Sequence, residues 1–129
     1  MASGEITLNI NGSAIDKNDP NVCMPVAKMK DAELEKRIYS SYLSAYKNTA
    51  LAIKIVSTQW EIVQSKYTGI PTKRTIDVII GYKTGGKCYK RAYLVIEQYN
   101  GHEYVKDIIF ESNMQNPEKA ISCTCLEGK

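Results

Sequence analysis

The chain has 129 residues, of which 43% are hydrophobic and 24% charged, and its formal net charge is +3. These values are typical of one soluble globular domain, which at this length can bury a hydrophobic core without needing disulfide or metal cross-links. No apolar run approaches the roughly 18 residues of a transmembrane helix, and the start, MASGE, lacks the basic and apolar regions of a signal peptide. We therefore expect a single domain, 1–129, that is either cytoplasmic or a mature secreted domain with its leader removed.

Positive charge is concentrated in one stretch, because residues 64–94 contain seven basic side chains and a single acid, Asp77. The basic residues are Lys66, Lys73, Arg74, Lys83, Lys87, Lys90 and Arg91. One interpretation is a solvated strand edge that lysines keep soluble. The other is a patch for an acidic partner.

Tyrosine is the unusual residue type, since nine Tyr accompany one Phe and one Trp. A tyrosine joins apolar area to a polar hydroxyl. That combination suits half-exposed strand positions and also protein-binding surfaces, so the composition leaves both interpretations open.

The first predicted element is an N-terminal strand or hairpin. Residues 5–15, EITLNINGSAI, alternate between apolar and polar positions, and Asn11-Gly12 allows a tight turn. The following stretch, DKNDPNVCMP at 16–25, has the composition of a loop. We therefore expect an N-terminal strand and loop over 1–30.

The main helix is predicted at 31–48. Acidic residues occupy its first turn, where the helix dipole favours them, and Lys47-Asn48 provides an end. The apolar positions recur at helical spacing: Leu34, Ile38, Tyr42 and Tyr46. Tyr39, Tyr42 and Tyr46 are interpreted as packing against a sheet, with a ligand-lining stripe as the alternative.

An antiparallel sheet is predicted over 51–111. Residues 49–57 could continue the helix, but their β-branched side chains favour a strand, and 59–66 is a further strand. Three apolar-rich runs then follow between 74 and 111, separated by Gly85-Gly86 and Asn100-Gly101. This pattern predicts a three-stranded meander.

A three-residue loop, 85–87, would pair Ile80 with Ala92 and Val78 with Leu94. The helix-packed face would then carry Ile76, Val78, Ile80, Ala92, Leu94 and Ile96. The opposite face would carry Asp77, Ile79, Lys83, Tyr89, Arg91, Tyr93 and Glu97. The third run, 104–111, is apolar enough for a central strand or one covered on both faces.

We expect residues 112–129 to form a tail, in which only Ala120-Ile121 could dock. The predicted fold class is therefore α+β: one main helix packed on an antiparallel sheet of four to five strands, with the N-terminal strand or hairpin.

The four cysteines, Cys23, Cys88, Cys123 and Cys125, form no C-x-x-C pair, and the chain has one histidine, His102. No spacing supports a zinc site, so we predict no metal and no cofactor. A disulfide from Cys23 to Cys123 or Cys125 would tie the two ends together in an oxidising compartment. Cys88 is interpreted as a small semi-buried residue and not as a nucleophile.

Catalytic motifs are not found. His102 lies in a predicted turn with no nucleophile that could be paired with it. The run GYKTGGK at 81–87 superficially resembles a phosphate loop, but it lies between two strands and no helix N-terminus follows it. We therefore predict that the protein is not an enzyme.

One helix followed by about four antiparallel strands, over 31–111, resembles cystatin-like and nuclear-transport-factor-like α+β domains. The resemblance rests on the order of elements and on no motif. VQSKYTGIPT at 63–72 lies roughly where the first inhibitory hairpin of a cystatin would be, and it does not match that signature. The resemblance implies a helix against a curved sheet and does not select a function, because such folds host enzymes, carriers and adaptors.

The leading hypothesis is a non-enzymatic binding or assembly domain that recognises a protein partner through an exposed sheet face. The residues assigned to that face are Lys83, Tyr89, Arg91 and Tyr93, because Tyr and Arg are enriched at binding hot spots. One alternative is a small-molecule pocket between helix and sheet, lined by Tyr42, Tyr46, Trp60 and the apolar face of the meander. The other is single-stranded nucleic-acid binding by the same Tyr and basic face.

Overall fold

A computed structural model of the chain describes residues 23–112 and 118–126. The N-terminal strand or hairpin predicted at 5–15 lies outside the described residues. In the part that is described, no helix is long and apolar enough to cross a membrane.

Helix α1 spans Ala32–Tyr46, in agreement with the prediction. Asp31 is its N-cap, and the carboxylate of Asp31 accepts a hydrogen bond from the Leu34 N–H at 3.1 Å. This bond satisfies one of the amide groups that the first helical turn leaves without a partner. The helix ends at Lys47, which has a left-handed backbone (φ 56°) and whose N–H donates a hydrogen bond to the Leu43 carbonyl.

The described residues form six strands and one short 3₁₀ helix. They are β1 (Ala52–Ile55), β2 (Glu61–Gln64), β3 (Pro71–Thr84), β4 (Lys87–Gln98), β5 (Ile109–Ser112), β6 (Lys119–Ile121) and the 3₁₀ helix Cys123–Leu126. All the strands belong to one antiparallel sheet of order β1-β3-β4-β5, in which β2 also pairs with β3 and β6 with β4. The α+β class is confirmed, as is the strand over residues 49–57.

The predicted register between β3 and β4 is wrong by one residue. Ile80 pairs with Arg91 and Val78 with Tyr93, because the turn has two residues and not three. Gly85 (φ 59°) and Gly86 (φ 80°) both have left-handed backbones. A two-residue turn with two positive φ angles is the type I′ geometry that matches the twist of a hairpin, and glycine adopts it without steric cost.

The shift moves the β4 side chains to the opposite faces of the sheet. We call the side that meets α1 the helix face; its central residues are Ile76, Val78, Ile80, Tyr82, Tyr89, Arg91, Tyr93, Val95 and Glu97. The other side, the disulfide face, carries Ile79, Gly81, Lys83, Cys88, Lys90, Ala92, Leu94 and Ile96. The expectation that Ala92, Leu94 and Ile96 pack on the helix is therefore wrong.

Two further expectations need correction. The third run of the meander is strand only at β5, which lies on an edge of the sheet and not at its centre. Residues 118–126 are not a loose tail, because β6 pairs with β4 and is followed by the 3₁₀ helix. Ala120-Ile121 does dock as the sequence suggested.

Both disulfides lie on the disulfide face. Cys23 is bonded to Cys125 and Cys88 to Cys123, so all four cysteines are used. The Lys90 ammonium also donates to the Cys23 carbonyl at 2.6 Å. Through these links the 3₁₀ helix and the segment at Cys23 are fastened over β4, where Met24, Ala52, Cys88 and Leu126 form a small buried cluster.

The main core lies between α1 and the helix face. Its buried side chains include Leu34, Ile38, Tyr42, Ile55, Ile76, Val78, Ile80, Tyr82, Tyr93 and Val95. The helix contributes three of them at the spacing of four that the sequence predicted. Two separate apolar clusters therefore cover the two sides of one sheet.

Candidate protein-binding surface

The four residues predicted to form one face do not lie together. Tyr89, Arg91 and Tyr93 are on the helix face, whereas Lys83 pairs with Cys88 on the disulfide face. Tyr93 is only 4% exposed and belongs to the main core. Tyr89 and Arg91 are half-buried and Lys83 is exposed. The register error explains the difference, because it assigned Tyr89, Arg91 and Tyr93 to the open face, whereas they lie on the face that the helix covers.

Aromatic rings gather where the C-terminal half of α1 crosses the sheet. Tyr42 is at the centre, with its ring 4.9 Å from Tyr46, 5.9 Å from Tyr93, 6.1 Å from Phe110 and 6.3 Å from Tyr82. The pairs with Tyr93 and Phe110 are edge-to-face, which is a favoured geometry for aromatic rings. The cluster holds its members in fixed positions.

Tyr46 is the member of this cluster that reaches the surface. Its ring is 5.6 Å from Tyr93 and 5.9 Å from Phe110, and its side chain is 43% exposed. A tyrosine held by three neighbouring rings has little rotamer freedom left to lose. A partner could therefore bury it at a small cost in entropy.

The exposed apolar surface continues along the helix from Tyr46. Leu43 is 43% exposed and Tyr39 is 42% exposed, and the spacings of three and four residues place all three on one stripe. We call Tyr39, Leu43 and Tyr46, together with Tyr89 and Arg91 of β4, the aromatic patch. Single exposed apolar residues are ordinary, but a contiguous group is typical of an interaction surface.

Arg91 supplies the basic part of the aromatic patch. Its guanidinium carbon is 5.9 Å from the centre of the Tyr93 ring, within the range of a cation–π interaction. The Nε atom of Arg91 is buried and makes no hydrogen bond to the described residues. Arg91 thus sits against the ring cluster with part of its hydrogen-bonding capacity unused.

The ring cluster also shifts tyrosine ionisation. Burial raises the pKa of Tyr42 far above its ordinary value, and the nearby Tyr93 adds to the effect. Burial likewise raises the pKa of Tyr46, with Tyr93 acting in the same direction, while the charge of Arg91 lowers it. Both phenols are therefore neutral hydrogen-bonding groups at physiological pH.

A second polar feature lies at the other end of the helix, where Glu97 is fully buried between two arginines. Arg37 of α1 donates to one carboxylate oxygen of Glu97, and Arg74 of β3 donates to the other at 2.7 and 2.8 Å. The Arg74 guanidinium also lies between two rings, 4.2 Å from Trp60 and 4.4 Å from Tyr104. We call Arg37, Arg74 and Glu97 the arginine–glutamate network; no signal in the sequence pointed to it.

The side chains proposed to line a small-molecule pocket belong to or pack against the main core, and such a pocket stays a prediction. Tyr42 is 2% exposed and fills the core, whereas Trp60 stacks on Arg74 in the arginine–glutamate network. The nucleic-acid alternative loses part of its basis, since Lys83 and Tyr93 are not available on the same open face. Among the described residues, no group of three or more His, Cys, Asp or Glu side chains could hold a metal ion.

Comparison with known proteins gives no match to this chain: no family model, curated protein or solved structure is significantly similar to it. The resemblance to cystatin-like and nuclear-transport-factor-like domains therefore stays a prediction.

Proposed function

We propose that the protein is a non-enzymatic binding domain that recognises a protein partner through the aromatic patch. The observation that carries the proposal is Tyr46, which is fixed by three rings and yet 43% exposed. Rigid, partly exposed tyrosines are typical anchors of protein interfaces.

The composition of the aromatic patch fits a protein better than a small ligand. It combines two tyrosines and a leucine on a convex helix surface with a half-buried tyrosine and arginine beside them. Interface centres are enriched in these aromatic residues and in arginine, and they are depleted in lysine and acidic side chains. A small-molecule site would instead need a concave space that buries most of the ligand.

The arginine defines the chemistry of the complementary surface. A carboxylate of the partner can accept hydrogen bonds from the terminal N–H groups of Arg91, whose side chain is half-buried. Apolar side chains of the partner would cover Leu43 and Tyr46. We therefore expect a partner surface with an apolar centre and an acidic residue near it.

The proposal is tested by affinity capture from native extract with the immobilised full chain. Leu43→Ser and Tyr46→Ala should each reduce recovery of the partner by about tenfold or more, as expected for interface anchors. Arg91→Ala should have a smaller effect that grows as the salt concentration is lowered. Tyr93→Ala is unsuitable, because truncating a buried ring would destabilise the fold.

Ile109→Ser is the matched control for Leu43→Ser, because Ile109 has the same exposed fraction, 43%, and pairs with Ile96 on the disulfide face, opposite to α1. Circular dichroism and thermal melting confirm that each variant is folded. Equal recovery of the partner by wild type, Leu43→Ser and Tyr46→Ala would refute the proposal.

A further inference from the structure

Positive charge is segregated from negative charge along the chain. Residues 38–60 and 78–96 together contain six basic side chains and no acidic one. The six are Lys47, Lys54, Lys83, Lys87, Lys90 and Arg91. The other eleven of the 17 basic residues are outweighed by all 14 acidic residues, which lie elsewhere in the chain. These two segments therefore carry a formal charge of +6, twice the net charge of the whole protein.

The fold brings the two segments together at one end of the sheet. β1 pairs with residues 78–81 of β3, and the Asn48 Nδ2 atom donates to the Lys83 carbonyl at 3.4 Å. Lys47 precedes Asn48 at the end of α1, while Lys83 and Lys87 flank the turn between β3 and β4. All three lysine side chains are exposed. We call Lys47, Lys83 and Lys87 the basic end.

Lys47 adopts an unfavourable backbone conformation to occupy its place in the basic end. It is the only described residue other than glycine with a left-handed backbone (φ 56°). Helices usually end with glycine in this conformation, because a Cβ atom is strained there. A lysine within the last turn of α1 would serve the helix dipole without that strain, and the last turn has no basic residue. The strained position therefore points to a function for the lysine side chain itself.

The disulfides indicate which polyanions the basic end meets. Cys23 is bonded to Cys125 and Cys88 to Cys123, so no cysteine is left free. Such bonds form and persist in oxidising environments, of which the extracellular space is the main one. Sulfated polysaccharides are abundant polyanions in that space, whereas nucleic acids are concentrated in reducing compartments. The compartment therefore favours a sulfated ligand.

We propose that the basic end binds a sulfated polysaccharide. A lysine ammonium is a point charge on a flexible stem, which suits a row of separate sulfate groups, whereas arginine has the planar fork that holds a single phosphate. Stacking of nucleic-acid bases needs exposed rings, but Tyr82 is 5% exposed and Tyr89 is half-buried against it. Insertion into lipid needs apolar side chains, and the turn carries only Thr84 and two glycines between the lysines.

This site is distinct from the aromatic patch. The basic end adjoins the patch at Tyr46, which directly precedes Lys47, but the two share no residue. Toward β6 the basic end is followed by Glu118 and Lys119, whose charges offset each other. The proposal does not depend on a protein partner, and either surface can be removed without the other.

The test is a calorimetric titration of the full chain, with its disulfides intact, with heparin. Lys47→Ala/Lys83→Ala/Lys87→Ala should raise Kd at least about tenfold at about 0.15 M salt. It should also lower the slope of log K against log salt by about two, since each contact with a flexible polyanion contributes about 0.7. The matched control is Lys36→Ala/Lys66→Ala/Lys106→Ala, which removes the same charge from three exposed lysines outside the basic end. This control should change Kd less than about threefold.

Lys47→Gly separates the role of the side chain from that of the backbone. Glycine adopts the left-handed conformation without strain, so Tm should stay the same or rise. Heparin binding by Lys47→Gly should nevertheless weaken, and the slope of log K against log salt should fall by about 0.7. A lower Tm with an unchanged Kd would show that Lys47 only terminates the helix and would contradict its place in the site.

Fully desulfated heparin, phosphatidylcholine–phosphatidylserine vesicles and a single-stranded oligonucleotide serve as competing probes. The proposal is overturned if the wild-type chain does not bind heparin, if the two triple variants have the same Kd, or if any competing probe binds as tightly as heparin. Tyr46→Ala should bind heparin as the wild type does. A loss as large as that of the basic-end variant would place the polysaccharide on the aromatic patch and would also overturn the proposal.

Discussion

Gly81 is the place where the disulfide face is most tightly packed, and substituting it tests that packing directly. A Cβ atom at Gly81 would lie 2.5 Å from Cδ2 of Leu126 and 3.1 Å from Sδ of Met24. Favourable contacts between carbon atoms have separations of about 3.5 Å or more, so the first of these distances is a clash. In Gly81→Ala the Leu126 side chain must therefore move away from the sheet.

Two opposing effects set the magnitude. Overpacking, or partial exposure of Leu126, which is now 6% exposed, costs about 1–3 kcal/mol. Gly81 is in the interior of β3, where alanine is favoured over glycine by about 0.5–1 kcal/mol. Subtracting the second effect from the first, we expect Gly81→Ala to lower the free energy of unfolding by about 1 kcal/mol in the wild-type chain.

Leu126→Ala removes the atoms that clash, so in that background Gly81→Ala should be neutral or slightly stabilising. Urea unfolding of the four chains, with disulfides intact, gives the coupling free energy of this double-mutant cycle. If Gly81→Ala stabilises the wild-type chain as much as it stabilises Leu126→Ala, Leu126 does not lie over Gly81, and the packing of the 3₁₀ helix on β3 is refuted.

Three further predictions concern the rest of the fold. Glu97→Gln should lower the free energy of unfolding by about 2 kcal/mol. In urea unfolding, the Arg37→Ala/Arg74→Ala double variant should lose more stability than the sum of the two single variants, because it leaves Glu97 buried and unpaired. Additive losses of stability would contradict the shared network. The Cys88→Ser/Cys123→Ser variant lacks a disulfide between residues 35 apart in sequence, and its free energy of unfolding should be lower by about 4 kcal/mol from the entropy of the unfolded chain. An unchanged denaturation midpoint would show that this disulfide does not constrain the unfolded chain. Stability should fall as pH rises above about 10, because burial raises the pKa of Tyr42 in the folded state and its phenol then ionises only in the unfolded state. The stability of Tyr42→Phe should fall less steeply with pH. An identical fall for the two chains in thermal melts at alkaline pH would contradict the raised pKa.

The helix could be predicted closely from local signals. Asp31 provides a capping side chain, acids occupy the first turn, and the buried positions recur every four residues. These signals act between residues within one or two helical turns, so they do not depend on contacts with distant parts of the chain. The strand after the helix was likewise identified by its β-branched residues.

The β4 face could not be predicted, because both sides of β4 carry apolar residues. Tyr93 and Val95 alternate with Ala92 and Ile96, and all four side chains are buried or half-buried, the first two on the helix face and the other two on the disulfide face. Alternation therefore did not select a register. The observed register pairs Asp77 with Leu94, a pairing that the sequence disfavoured because it sets a carboxylate beside an apolar side chain. The pairing is tolerated because Asp77 is exposed and accepts a hydrogen bond from the Ser57 hydroxyl at 3.2 Å.

The candidate surfaces depended on contacts between distant parts of the chain. Tyr46 is exposed but rigid only because β4 and β5 bring Tyr93 and Phe110 beneath it. Glu97 is paired only because α1 and β3 bring Arg37 and Arg74 to it from 60 and 23 residues away. Composition alone pointed to tyrosine and arginine, but it could not indicate which of these side chains reach the surface.

The most direct test of the central claim is a hydrogen-exchange footprint of the complex with the captured partner. If the aromatic patch binds the partner, backbone amides from Tyr39 to Tyr46 and around Tyr89–Arg91 become slower to exchange, while those of β6 and the 3₁₀ helix on the disulfide face are unchanged. Protection confined to the disulfide face, with no change along the helix, would contradict the claim.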